Sequence, residues 1–174
     1  VIESVRLVKN FPKPGLDFKD LSILLGKPDA FQTVIDSLVN RYRSRGVTAV
    51  AGIECRGFIF AAPVALGLKV PFVPFRKPGK LPCKSVGVEF RLGPGSKTGH
   101  STSACFGKDR LEMHEDAFQP GAQVLIIDDL LGTGATLLGA CELVEKGRSE
   151  VVECACVCEL RALRGRDTLS GRSV

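Results

Sequence analysis

The stretch Gln123-Val-Leu-Ile-Ile-Asp128-Asp129-Leu130-Leu131-Gly132-Thr133-Gly134-Ala135-Thr136-Leu137 decides the fold. Val124 to Ile127 is an unbroken aliphatic run, which suits a strand buried on both faces of a parallel sheet. Two carboxylates, Asp128 and Asp129, close that strand. Gly132, Thr133, Gly134, Ala135 and Thr136 follow, small or hydroxyl-bearing residues that let backbone N–H groups converge. From Leu137 the apolar spacing is that of a helix, ending at Gly147, a good C-cap. A strand, a small-residue turn and a helix N-terminus together make an anion site. The acidic pair would repel a phosphate unless it faces another part of the ligand. A sugar phosphate resolves the conflict, with the loop on the phosphate and the carboxylates accepting hydrogen bonds from ribose hydroxyls. Two commoner motifs fail on spacing: a P-loop needs Lys-Ser/Thr after its second glycine, and a dinucleotide fingerprint needs a small residue where Leu137 stands.

Outward from this stretch, buried strands alternate with helical segments. Strands are expected at 47–53, 70–75 and 151–160, with helices over 28–45 and from Phe58 to Leu68. Residues 1–9 carry apolar Val1, Val5 and Val8, a weak amphipathic helix. The alternation predicts an α/β fold: a mostly parallel twisted sheet with helices on both faces, forming one domain over 1–174. Val86, Val88 and Phe90 alternate as one strand of a hairpin, and Leu111 and Met113 lie on the returning strand. The polar insertion over 83–113 has the composition of a flexible hood that closes over a reactive centre.

Three further motifs surround the phosphate stretch. Glu54-Cys55-Arg56-Gly57 stands where a strand turns into a helix. Arg76-Lys77-Pro78-Gly79-Lys80-Leu81-Pro82 ends the next strand, and the carboxyl ends of strands are where an α/β sheet binds its ligand. Phe11-Pro-Lys-Pro-Gly-Leu-Asp17-Phe18-Lys19-Asp20 is a turn-rich loop set by two prolines and a glycine. The acidic pair with its Thr-Gly-x-Thr loop resembles the phosphoribosyl-diphosphate signature of the type I phosphoribosyltransferases. With the other three motifs, the resemblance narrows to the adenine phosphoribosyltransferases and covers most of the chain from Phe11 to Leu160.

The resemblance implies transfer of 5-phosphoribose from phosphoribosyl diphosphate to adenine, giving AMP and diphosphate, a step of purine salvage. It assigns catalytic roles to Asp128, Asp129 and Arg56. Leu131, Gly132, Thr133, Gly134, Ala135 and Thr136 would hold the 5-phosphate. Glu54, Cys55, Gly57, Arg76, Lys77 and Lys80 would face the diphosphate. Asp17, Phe18 and Lys19 would form the base pocket, with Phe18 stacked on the purine. Mg²⁺ is expected to arrive on the substrate's diphosphate rather than in a protein cage. A homodimer is implied as well.

Several features depart from the family pattern, Glu54-Cys55 only mildly. Lys19 stands where an arginine is usual, and the hood has Cys105-Phe106-Gly107 where the family carries Glu-Tyr-Gly, so that Glu89 is the nearest candidate for the absent glutamate. Two other functions fit the same motifs: a phosphoribosyl-diphosphate-binding regulator, and an enzyme of this type acting on an oxo-purine.

Composition narrows the class. The net charge of +5 is spread along the chain without aromatic-basic clusters, which suits a highly anionic small substrate and argues against nucleic acid. No apolar run approaches the ~20 residues that cross a bilayer, so no membrane partner is expected. Seven cysteines, an odd number, are expected as free thiols in the cytoplasm. Cys154, Cys156 and Cys158 alternate and should share one face of a strand as small hydrophobes, not as metal ligands.

Overall fold

The computed structural model describes residues 2–11, 14–15, 17–91 and 107–174. Residues 2–4 form a short 3₁₀ turn. The elements that follow are β1 (Arg6–Val8), β2 (Phe18–Asp20), α1 (Ser22–Leu25), α2 (Pro28–Tyr42), β3 (Ala49–Ile53), α3 (Arg56–Leu68), β4 (Phe72–Phe75) and β5 (Ser85–Arg91). β6 (Lys108–His114), β7 (Gln123–Leu131), α4 (Ala135–Lys146), β8 (Glu150–Glu159) and α5 (Gly165–Thr168) complete the order.

Strands β4, β3, β7 and β8 form a four-stranded parallel sheet in that order. Every residue of β3 is buried, as are Val124 to Ile127 in β7. Such double-sided burial explains the uninterrupted aliphatic runs, since a half-solvated strand would alternate. Alternate residues of these strands feed two separate cores. Ala49, Ala51, Val124 and Ile126 pack with α4 through Leu137, Ala140, Leu143 and Val144. Val50, Leu125 and Ile127 pack on the opposite side with Ile35, Val39 and Tyr42 of α2 and Phe60, Ala61 and Val64 of α3. Helices thus cover both faces, as the strand–helix alternation predicts.

Strand β7 runs further than its aliphatic core. It continues through Asp128 and Asp129 to Leu131, because β8 pairs with it as far as Leu131↔Glu159. The two acids are therefore held by sheet hydrogen bonding and do not sit in a loop. On β8, Cys154 and Cys156 pack in the α4 layer, whereas Cys158 packs in the α2–α3 layer; the three do not share one environment.

Strands β5 and β6 form the expected hairpin, with Val86↔Met113 and Val88↔Leu111 in register. It lies against α4, where the Lys146 ammonium donates to the Gly87 carbonyl at 2.9 Å. An isolated antiparallel bridge, Arg76↔Glu112, ties it to the end of β4. The hood's tip, including Cys105 and Phe106, lies outside the described residues.

The N-terminal segment differs from the expected helix. Arg6–Val8 is a strand paired antiparallel with Phe18–Asp20. Its side chains are mostly exposed, so helical amphipathicity would gain it little, while pairing satisfies its backbone and fixes the base-loop segment. The Asp20 carboxylate anchors this pair. It accepts from the Ser22 hydroxyl and N–H at 2.7 and 2.9 Å and lies 2.6 Å from the Arg6 guanidinium. Those contacts, the Ser22 hydroxyl first, lower its pKa from 3.8 to about 2. A depressed carboxyl contributes fully above its unfolded value and loses that contribution as pH falls through the folded one. The β1–β2 pairing should accordingly loosen between about pH 4 and pH 2. Asp20→Asn should bring the same loosening at neutral pH, seen as faster amide exchange at Leu7 and Lys19 with the central sheet unchanged.

Candidate active site

The carboxyl ends of β3, β4 and β7 meet on one side of the sheet, and a cleft of about 380 Å³ opens there. Its walls include Glu54, Cys55, Arg56, Lys77, Asp128, Asp129, Leu131, Gly132, Thr133, Gly134 and Thr136, drawn from three of the four sequence motifs. Glycine 57, Arg76, Lys80 and Ala135 stand behind or beside these walls. Of Asp17, Phe18 and Lys19, only Phe18 meets the site, through Arg56; Asp17 and Lys19 are not among the cleft walls.

Asp129 is 5% exposed and its Oδ2 lies 2.6 Å from the Arg56 Nε. Its backbone N–H donates to the Asp128 Oδ1 at 2.9 Å. Loss of water around Asp128, and then the charge of Asp129, push the Asp128 carboxyl well above its ordinary range, against the opposing pull of that N–H and of Arg56. The two acids are thus unequal: Asp129 pairs with a guanidinium, whereas burial raises the Asp128 carboxyl. Ligand hydroxyls donating to Asp128 would favour its charged form.

Arg56 begins α3, directly after a cis peptide between Glu54 and Cys55. The next residue has no room for a side chain. A Cβ on Gly57 would stand 2.8 Å from the Ile127 carbonyl oxygen and 3.2 Å from the Asp128 Cα, so α3 starts against the backbone that carries the acids. The Arg56 guanidinium also lies 5.5 Å from the centre of the Phe18 ring, and Phe11 meets Phe18 edge-on at 5.6 Å. One arginine therefore links the base-loop aromatic to the acid pair.

The cations of the Arg76 to Lys80 segment are anchored by carboxylates. Glu54 accepts from the Arg76 guanidinium at 2.9 Å and from the Lys77 N–H at 2.7 Å. Burial raises the Glu54 pKa, but those two donors outweigh it and the net shift is downward. The Lys77 ammonium pairs with Asp109 of β6, and Lys80 is exposed. Asp109 lines the cleft and is absent from the motifs. Nothing local marks it, since its partner lies 32 residues away, beside the Arg76↔Glu112 bridge that ties the end of β4 to β6. Glu89 of the same hairpin is exposed, 3.5 Å from Lys108, and is not part of the cleft wall.

On the remaining side, Gly134 takes φ +81°, a left-handed conformation that favours glycine, and precedes the first residue of α4. No side chain caps that helix start, so its first N–H groups remain free to meet an anion. The cleft thus brings together Arg56 and Lys77, each paired with a carboxylate, a helix start open to an anion, and the Asp128–Asp129 pair. This suits a ligand with phosphates at two ends and hydroxyls in the middle.

Comparison with known proteins agrees. A phosphoribosyl transferase domain matches residues 21–169. The adenine phosphoribosyltransferase of Chloroflexus aurantiacus is 48% identical over 98% of this chain and 91% of its own. The chain belongs to the adenine phosphoribosyltransferase family. Adenine phosphoribosyltransferase 1 of Triticum aestivum is 45% identical over the whole of this chain and 90% of its own. Among solved structures, that of the Rhodothermus marinus enzyme superposes with a TM-score of 0.83 at 39% identity, covering 97% of this chain and 89% of the other. The Saccharomyces cerevisiae enzyme, complexed with an imino-altritol bisphosphate and adenine, superposes at 0.85 with 32% identity, covering 99% and 94%. The family's α/β fold is the one described above.

Proposed function

We infer that the protein transfers 5-phosphoribose from phosphoribosyl diphosphate to N9 of adenine, forming AMP and diphosphate. The observation that carries this reading is the meeting, in one cleft, of the Asp128–Asp129 pair, the Gly132 to Thr136 loop and Lys77, with Phe18 reached through Arg56. The loop and the start of α4 hold the 5-phosphate. The acids accept from the ribose hydroxyls. Arg56, Arg76, Lys77 and Lys80 face the diphosphate, with Glu54, Cys55 and Gly57 shaping the turn behind it.

As the bond from C1 to diphosphate breaks, its electron pair leaves with the diphosphate and C1 becomes cationic. Asp128 and Asp129 lie on the ribose side of the cleft, where a preorganised negative charge stabilises that centre. Adenine N9 then bonds to C1, and its proton passes to the departing diphosphate or to water. In this reading the purine stacks on the Phe18 ring, and Asp17 and Lys19 offer backbone groups to its edge. Mg²⁺ comes with the diphosphate as part of the substrate.

Two wider features belong to the same reading. The six cysteines described are free thiols, including exposed Cys55 and Cys83, which fits a reducing cytoplasm. Ile59 and Leu66, seven residues apart on α3, are 40% and 80% exposed, an apolar strip that a second copy would cover in a homodimer.

Phe18→Ala should raise the KM for adenine by roughly tenfold or more, in line with roughly 1–3 kcal/mol for a base stacked on an aromatic ring, with the KM for phosphoribosyl diphosphate unchanged. The substrate assignment is tested by supplying adenine, hypoxanthine and guanine separately with phosphoribosyl diphosphate and Mg²⁺. Nucleotide should form from adenine at least a hundredfold faster than from either oxo-purine. Preference for an oxo-purine would overturn the assignment, and turnover of none would overturn the enzyme reading.

A further inference from the structure

The 5-phosphate loop does not stand on its own. Behind it the chain returns from β8 through a 3₁₀ turn (Arg161–Leu163) into α5, and the two backbones touch. A Cβ on Gly165 would lie 2.3 Å from the Gly132 carbonyl oxygen, 2.8 Å from the Leu131 Cδ1 and 3.0 Å from the Gly134 nitrogen. The contact is reciprocal, since a Cβ on Gly134 would lie 2.3 Å from the Gly165 carbonyl oxygen and 3.0 Å from the Thr168 Cβ. Gly165 is buried, and Leu163 offers the nearest side chain to Gly132, at 3.8 Å from its would-be Cβ. The Leu160 N–H donates to the Leu131 carbonyl at 2.9 Å, fixing where this return begins.

We propose that Gly165 is a positioning residue for phosphate binding: its bare Cα lets the return segment press on the loop from behind and so sets the direction of the Gly132 to Gly134 amides. The proposal rests on reading Gly132 to Thr136 as the phosphate loop. Loop atoms here face backbone and a leucine methyl. A methyl on Gly165 must therefore displace the carbonyl of Gly132 or the amide of Gly134, and both belong to the anion-binding turn. Leu163 works the other way, as a side chain whose loss leaves the loop unsupported without any clash.

The test compares wild type with Gly165→Ala and Leu163→Ala, by calorimetric titration with ribose 5-phosphate and by steady-state kinetics. Gly165→Ala should weaken ribose 5-phosphate binding and raise the KM for phosphoribosyl diphosphate by about tenfold, with the KM for adenine within twofold. Leu163→Ala should shift the same two quantities by about threefold. A variant that merely lost folded protein would lower kcat without this split. If Gly165→Ala fails to fold, the Leu163→Ala split decides. Unchanged phosphate affinity in the folded variants, or equal shifts in both KM values, would overturn the proposal. Failure of wild type itself to bind ribose 5-phosphate would instead overturn the phosphate-loop reading.

Discussion

Asp129→Asn is expected to lower kcat by about 10²–10³-fold while leaving the fold nearly as stable as before, the range set by removal of one preorganised stabiliser of transition-state charge. The substitution keeps the side chain's shape and leaves the backbone N–H that donates to Asp128 in place. What it removes, in the proposed mechanism, is a negative charge on the ribose side of the cleft and one acceptor for a ribose hydroxyl. The stability side is decided by the partner. The Arg56 side chain is 52% exposed and can return to water, so loss of the pair costs little, about 1 kcal/mol or less for a half-solvated bridge. Removing a nearly buried carboxylate also relieves a desolvation cost that works in the opposite direction. The melting temperature should therefore move by no more than about 4 °C. Steady-state kinetics and thermal unfolding of the same preparation separate the two effects, and unchanged turnover would strip Asp129 of its ribose role.

Gly57→Ala should damage both stability and turnover. Its new methyl meets the Ile127 carbonyl oxygen and the Asp128 Cα, backbone atoms of a central strand that cannot swing aside as a flexible side chain can. Either α3 lifts, carrying Arg56 with it, or the end of β7 shifts with both acids. Overpacking of this kind costs about 1–3 kcal/mol. A displacement approaching 1 Å costs up to roughly 10²-fold in rate when it misplaces groups around a reacting centre. We expect at least a tenfold loss of kcat/KM with a lowered melting temperature. Gly26→Ala is the comparison, because its Cβ would find nothing closer than 3.4 Å and its backbone is of ordinary right-handed form; both properties should stay as in wild type.

Much of this architecture is visible in the residues because burial dictates them. The aliphatic runs of β3 and β7 announce a two-sided sheet, and the turn after Asp129 announces an anion site. Elements with few buried residues were less legible. Arg6–Val8 carries a helix-like spacing too weak to decide its form, and its pairing with Phe18–Asp20 depends on an ion pair across 14 residues. The extension of β7 through Asp128 and Asp129 depends on how far β8 accompanies it, which a local pattern cannot express. Asp109 and Gly165 illustrate the same limit at the site. One reaches the cleft through the bridge between β6 and the end of β4 and the other through contact between two backbones, so neither leaves a motif around itself.

In the proposed reaction this cleft joins adenine to the ribose of phosphoribosyl diphosphate. That reaction is tested most directly by incubating the purified protein with labelled adenine, phosphoribosyl diphosphate and Mg²⁺ and quantifying both products. AMP and diphosphate should appear in equal amounts as adenine disappears. Release of diphosphate without AMP, or no consumption of adenine at all, would contradict it.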